Sequence, residues 1–289
     1  MKVREFRSSM NYNHWVAGLA ACIALLAYNA IGAPLEHRVI PYTLEPEQRA
    51  QLRTLSDASA TDLAEASFMA PDGIALPYRI LKPDTGPMPE KFPLVLVLHG
   101  TGAMGTNNAT HMGPFIKSWA LPSIRSKFKA YVVAPQVAIR SADYETGVDG
   151  YPISRPGGSM PAIRALVEKL AGDLPIDRSR IYVIGFSMGA STALNLIAQD
   201  VGSFAGALAF SGVAPDLSLA RMIRTPIMFV HGTDDRQNDI APIRKFARAV
   251  AEGGGHATLL EYQGLDHRVP PGMLPSTEWR DWLFGQRRH

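Results

Sequence analysis

Ile181-Tyr-Val-Ile-Gly-Phe-Ser-Met-Gly-Ala190 decides how this chain folds. Ile181 to Ile184 form an uninterrupted apolar run, the pattern of a strand covered on both faces rather than one. A helix is predicted to begin at Met188 and to run to about residue 198. Between them lies Gly185-Phe186-Ser187-Met188-Gly189, a G-x-S-x-G pentad. A turn this tight leaves no space for side chains two positions before and after the serine, which is why Gly185 and Gly189 flank it there. The hydroxyl of Ser187 then projects above the strand end, near the positive end of the helix.

Outward from this junction the same grammar repeats. Residues 93–98, 131–134, 205–210 and 227–230 are apolar runs, and residues 258–262 resemble them. Helical spacing separates several of them. Ile163, Leu166, Val167 and Leu170 share one face of a helix over 160–171, and further helices are predicted over 240–252 and 276–284. Upstream, Leu52, Leu55 and Leu63 suggest short helical pieces within 45–66. Residues 66–69 and 74–81 flank Pro71-Asp72-Gly73 as an antiparallel hairpin. The fold class that follows is α/β, with a mostly parallel central sheet, helices on both faces and an N-terminal antiparallel hairpin. Residues 101–114 and 136–159 break the alternation. Both follow strands at their carboxyl ends, where open α/β sheets place their ligand crevice.

The 289 residues are 46% apolar, 19% charged and 8% aromatic, which is globular composition and excludes disordered or collagenous chains. Lys2, Arg4 and Arg7 against Glu5 supply two of the three net positive charges, and the remainder carries +1. No nucleic-acid partner is expected from that balance. The same basic start leads into the apolar run 15–28 and then Ala30-Ile31-Gly32, the pattern of a signal peptide over 1–32 with the mature chain starting near Ala33. A secreted or periplasmic single domain over 33–289, with no stable membrane span after cleavage, is the expectation. The competing readings are an uncleaved N-terminal membrane anchor and a lipid anchor at Cys22. Cys22 is the sole cysteine, so cleavage would exclude disulfides and thiol chemistry. No zinc, calcium or phosphate-loop motif is present, and neither metal nor cofactor is expected.

A serine hydroxyl is a weak nucleophile without a base, and the base needs a carboxylate to orient it. Residues 227–230 lead into His231-Gly-Thr-Asp-Asp235, and residues 258–262 into Gly264-Leu-Asp-His267. Ser187, Asp235 and His267 therefore each follow a different strand, in the order Ser…Asp…His. Asp234 is the rival acid, and spacing alone leaves the two aspartates open. His99 and His231 end strands before glycine and read as locally hydrogen-bonded rather than as bases. For the oxyanion, the N–H of Met188 is one expected donor, and the loop His99-Gly-Thr-Gly-Ala-Met-Gly105 offers Thr101 as the second, with Gly102 behind it. His111, Trp119, Tyr144 and Tyr151 complete the candidates for contact with a substrate, as crevice or aromatic wall.

These motifs resemble the α/β-hydrolase superfamily along nearly the whole of 33–289, from PLVLVLHGTGAMG through IYVIGFSMGAS to PIMFVHGTDD and GLDH. The chain looks most like exported esterases and peptidases related to prolyl oligopeptidase catalytic domains, feruloyl esterases and polyhydroxybutyrate depolymerases. The resemblance implies Asp235 as the acid, His267 as the base and no metal or organic cofactor. No propeller domain of the kind that large prolyl oligopeptidases carry is expected within 289 residues, and that expectation favours an ester over a peptide bond. The expected function is a carboxylic-ester hydrolase acting on a small-molecule ester through an acyl-enzyme. A peptidase or amidase on short peptides and a non-catalytic binding protein on the same fold are the alternatives.

Overall fold

Leu94, Leu96 and Leu98 alternate with Val95 and Val97, and the two sets enter different cores. That division is the architecture in miniature: one sheet, with an apolar layer on each face. The computed structural model describes residues 34–84, 91–199 and 202–288. The expected signal segment 1–32, Ala33 and Cys22 lie outside the described residues. Among the described residues no helix is long and apolar enough to cross a membrane.

In chain order, β1 (Glu36–Pro41) and α1 (Pro46–Asp57) precede β2 (Ala64–Met69), β3 (Ala75–Leu81) and β4 (Phe92–Leu98). Two short helices, α2 (Pro114–Lys117) and α3 (Pro122–Lys127), lead to β5 (Tyr131–Pro135) and the pair β6 (Ala142–Thr146) and β7 (Pro152–Pro156). Then α4 (Met160–Asp173), β8 (Ile176–Phe186), α5 (Met188–Gln199) and β9 (Gly206–Phe210) follow. The chain continues through β10 (Ile227–Gly232), α6 (Ile240–Glu252), β11 (Ala257–Gln263) and α7 (Glu278–Gly285).

Nine strands form one mixed sheet in the order β1-β11-β10-β9-β8-β4-β5-β3-β2. From β1 to β5 in that order all neighbours are parallel, whereas β3 and β2 pair antiparallel at the far edge. This is the α/β class and the mostly parallel sheet that the apolar runs imply, and β2–β3 is the expected hairpin. On one face Ile163 and Leu166 of α4, Leu194 and Ile197 of α5 and Phe246 of α6 pack together. On the other, Ile124 of α3 joins Trp119 and the Trp279 and Leu283 side chains of α7.

Three features depart from the expectations. β1 adds a parallel strand to the outer edge, pairing Glu36 with Thr258 through Pro41 with Gln263. Residues 136–159, read as one long loop, contain the antiparallel hairpin β6–β7. It covers α5, so that α5 is buried on all sides, with its polar Ser191, Thr192 and Asn195 satisfied by the hairpin or the preceding turn. Finally, Arg280 of α7 is completely buried. Its guanidinium carbon lies 4.1 Å from the Trp279 ring centroid and 4.6 Å from that of Trp119. Its nitrogens donate to the carbonyls of Leu274 (3.0 Å) and Ser276 (2.6 Å) and to Ser118 Oγ (2.8 Å). Burial pulls the guanidinium pKa down to about 9, so the group stays charged at neutral pH.

Candidate active site

Because β4, β8, β10 and β11 run the same way, the loops that follow them meet at one edge of the sheet. The junction of β8 and α5 has the sharp geometry anticipated for it. Ser187 has φ +55°, a left-handed conformation that an L-residue adopts only when its surroundings enforce it, at about 1–3 kcal/mol. Its N–H donates to the Phe210 carbonyl at 2.9 Å and its carbonyl accepts from Ser191 N–H at 3.0 Å. A Cβ on Gly185 would overlap the Gly189 backbone, and one on Gly189 would overlap the Leu98 carbonyl. These two glycines let the helix start against the ends of both β8 and β4.

Ser187 Oγ stands 2.9 Å from His267 Nε2, and His267 Nδ1 stands 2.7 Å from Asp235 Oδ2. The carboxylate fixes the Nδ1–H tautomer, leaving Nε2 as an acceptor toward the serine hydroxyl. Between the two rival acids the structure discriminates by geometry. Asp235 is buried against the imidazole, whereas Asp234 is exposed and accepts from its neighbour Thr233 Oγ1 at 2.9 Å. Asp235 Oδ1 accepts the backbone N–H groups of Gln237 (3.0 Å) and Asn238 (2.9 Å). His231 Nε2 lies 3.4 Å from Oδ2 and 2.9 Å from the Asn238 carbonyl. Asn238 in turn donates its side chain to the Ser211 carbonyl at 2.6 Å. Sequence reading missed Asn238; its one clue is its place three residues after an aspartate that needs hydrogen-bond donors.

Burial pushes the Asp235 carboxyl upward, but the hydrogen bonds from His231, His267 and Asn238 outweigh it and hold the group well below the usual carboxylate range. A depressed folded-state pKa contributes stability at pH above the ordinary value of 3.8, and that contribution disappears as pH falls through the folded value. Melting temperature measured from pH 6 downward is therefore expected to fall more steeply below about pH 4 in the wild type than in Asp235→Asn. Parallel curves would remove this carboxylate from the acid response.

The loop after β4 enters the site beside the serine. A Cβ on Gly100 would lie 3.3 Å from Ser187 Cβ. His99 donates from Nδ1 to the Gly100 carbonyl (2.8 Å) and accepts from Val137 N–H (3.1 Å), so it is locally bonded, as expected. Buried Gln136 staples both limbs of the loop, accepting from Asn108 N–H (2.6 Å) and donating to the Ala103 carbonyl (3.2 Å). The N–H groups of Thr101, Gly102 and Met188 have no acceptor among the described residues.

Gly102 and His111 line a cleft of about 430 Å³ together with His267. The aromatic wall expected from the other candidates is not there. Trp119 is 1% exposed and packs edge-on against Trp279 at 5.6 Å, because an indole removes more apolar area from water in the core than at a rim. Tyr144 sits on β6 with its hydroxyl 3.3 Å from Ser191 Oγ on α5. Tyr151 lines a different depression, with Lys245 Nζ 5.1 Å from its ring. The hairpin that carries the two tyrosines packs on α5 instead of facing His267. Among the described residues no cluster of three or more His, Cys, Asp or Glu is placed to hold a metal ion.

Residues 157–278 match the family model described as Phospholipase/Carboxylesterase. NocK of Nocardia uniformis subsp. tsuyamanensis, a protein named as an esterase, is 26% identical over 243 residues, which are 80% of this chain and 65% of that one. The solved structure of a thermostable esterase superposes with a TM-score of 0.70 at 28% identity, covering 79% of this chain and 64% of that chain. The chain thus spans just under two thirds of the length of each. The acylaminoacyl peptidase of Pyrococcus horikoshii shares the fold, with a TM-score of 0.56 at 15% identity over 76% of this chain and 41% of its own.

Proposed function

Since this chain belongs to the α/β-hydrolase superfamily, we propose that it is a carboxylic-ester hydrolase that acts through an acyl-enzyme on Ser187. The observation that carries this reading is the unbroken relay from Ser187 Oγ through His267 to Asp235, mounted on a turn held at positive φ.

In this mechanism His267 Nε2 accepts the Ser187 proton as Oγ attacks the ester carbonyl carbon. The carbonyl oxygen becomes an oxyanion, held by the N–H groups of Met188 and Thr101, with Gly102 next in line. As the tetrahedral centre collapses, the bond to the alcohol oxygen breaks and His267 returns the proton to that oxygen. Water then repeats the sequence on the acyl-enzyme, losing a proton to His267 and releasing the acid and free Ser187. Asp235 keeps its charge throughout and stabilises the imidazolium that forms at each step. A small ester is the substrate class in keeping with the family match and the named relative.

A fluorophosphonate probe tests the reading directly. The expected result is one covalent adduct, located by mass spectrometry on the peptide that contains Ser187, and no adduct in His267→Ala. A folded protein that does not react would instead be a binding scaffold on the same fold. The choice of acid has its own test. Asp235→Asn should lower kcat by about 10⁴-fold through the wrong imidazole tautomer, while Asp234→Asn should stay within about threefold of wild type. Equal losses at the two positions would contradict the assignment.

A further inference from the structure

Beyond the glycines and histidines already described, the cleft beside His267 is walled by Leu52, Phe115, Ile116, Phe186, Val269 and Leu274. Among the described residues no carboxylate lines it. Arg268, at its edge, is paired with Asp266. Burial pushes the imidazoles of His99 and His111 down, the latter to about 4, so both are uncharged at neutral pH. One end of the cleft therefore touches the reacting groups, and the rest is mainly hydrocarbon, with the Thr110 hydroxyl, which accepts from Asn107, and the already paired Arg268 as its polar groups. A charged substituent would lose its hydration there without compensation.

We propose that this cleft seats the uncharged hydrocarbon chain of the substrate ester, and that Leu52 of α1 determines how much of that chain is buried. The proposal rests on the ester-hydrolase reading and specifies its substrate. Leu55, three residues on and on the same side of α1, is buried at 3% exposure and anchors the helix, which leaves half-buried Leu52 to face the cleft. Lys117 Nζ donates to the Ser56 carbonyl at 2.6 Å, tying the end of α1 to the segment that supplies Phe115 and Ile116. The two walls are thus fixed to one another. At roughly 30 Å³ per water-sized group, about 430 Å³ accommodates far more than an acetyl group. Acyl chain and alcohol chain both extend from the same carbonyl and share this chemistry, so the experiment must separate them.

The test measures kcat/KM of the full chain on two series. One runs from p-nitrophenyl acetate to p-nitrophenyl decanoate; the other runs from ethyl acetate to decyl acetate. In one series kcat/KM should rise by up to about fourfold per added methylene until the cleft is full. The series that rises identifies which half of the ester enters. A hemisuccinyl ester of matching length should remain at the level of acetate. In Leu52→Asp the octanoyl-to-acetyl (or octyl-to-ethyl) ratio should fall at least about fivefold, and in Leu52→Met it should stay within about twofold. Should the aspartate variant not fold, Leu52→Ala replaces it, with a smaller fall of about two- to threefold. Flat profiles in both series, or an unchanged ratio in a folded Leu52→Asp or Leu52→Ala protein, overturn the proposal. If acetate turnover persists in that case and is lost in Ser187→Ala, the ester-hydrolase reading survives alone. A wild-type protein that turns over neither series overturns both.

Discussion

Ser187→Ala is expected to lower kcat on a p-nitrophenyl acyl ester by about 10⁴- to 10⁶-fold while leaving the melting temperature close to that of wild type. In the proposed mechanism the hydroxyl is the group that bonds to the acyl carbon, and no second hydroxyl is hydrogen-bonded to His267 among the described residues. His267→Ala should cost nearly as much, and the double variant should be no slower than the worse single one, because a base with nothing to deprotonate has no further effect to lose. What remains should be the modest catalysis of the Met188 and Thr101 N–H groups acting on attack by water. Rates near wild type in Ser187→Ala would end the assignment. Fully additive losses in the double variant would show that the two residues do not act as a unit.

The second large effect is on stability. Gly189→Ala should destabilise the fold by about 3 kcal/mol or more, since its Cβ would have to occupy the position of the Leu98 carbonyl at the end of β4. Gly185→Ala should behave alike, because the obstacle is again backbone, that of Gly189 itself. In both cases the colliding atoms are backbone, of β4 for Gly189 and of the helix start for Gly185, and cannot rotate aside as a flexible side chain could. The expected readout is a melting temperature lower by roughly 6–12 °C, or an insoluble product. Gly102→Ala supplies the comparison, for its Cβ would meet nothing within 4 Å, and its melting temperature should be within about 2 °C of wild type. A normal melting temperature for Gly189→Ala would mean that the helix can start elsewhere.

The parallel part of the sheet was legible because its strands are covered on both faces and their residues declare it: Val95, Val97, Tyr182 and Ile184 are all completely buried. The elbow was legible because a strand, a serine between glycines and a helix leave few other geometries. Less could be read where tertiary contacts decide. The strand β1, EHRVIP, is largely exposed and polar, and only its register against β11 makes it a strand. The hairpin β6–β7 lacks a buried alternating face; it is specified by polar side chains that meet α5, such as Ser141 with Thr192 and Ser154 with Asn195. Asp234 and Asp235 differ by one residue in their spacing from the strand, and what separates them is a turn in which Gln237 and Asn238 direct their N–H groups at one carboxylate. The aromatics were misplaced for a related reason. Trp119 follows a loop at the crevice edge, but the partner that claims it, Trp279, is 160 residues away in sequence.

Arg280 has a consequence for how the two ends of the relay respond to the surroundings. Its partners are neutral carbonyls, one hydroxyl and two indole faces, none of which titrates in the range that affects Asp235. Acid that strips the charge from the carboxylate therefore leaves this clasp intact, and added salt has little purchase on a cation sealed from solvent. The stretch from His267 to the last helix is held at its far end by a fastening indifferent to the medium, while the near end answers to it. Only acid strong enough to protonate the depressed Asp235 carboxyl should slacken the grip on the imidazole, and it should do so before the polypeptide beyond it comes away from the sheet.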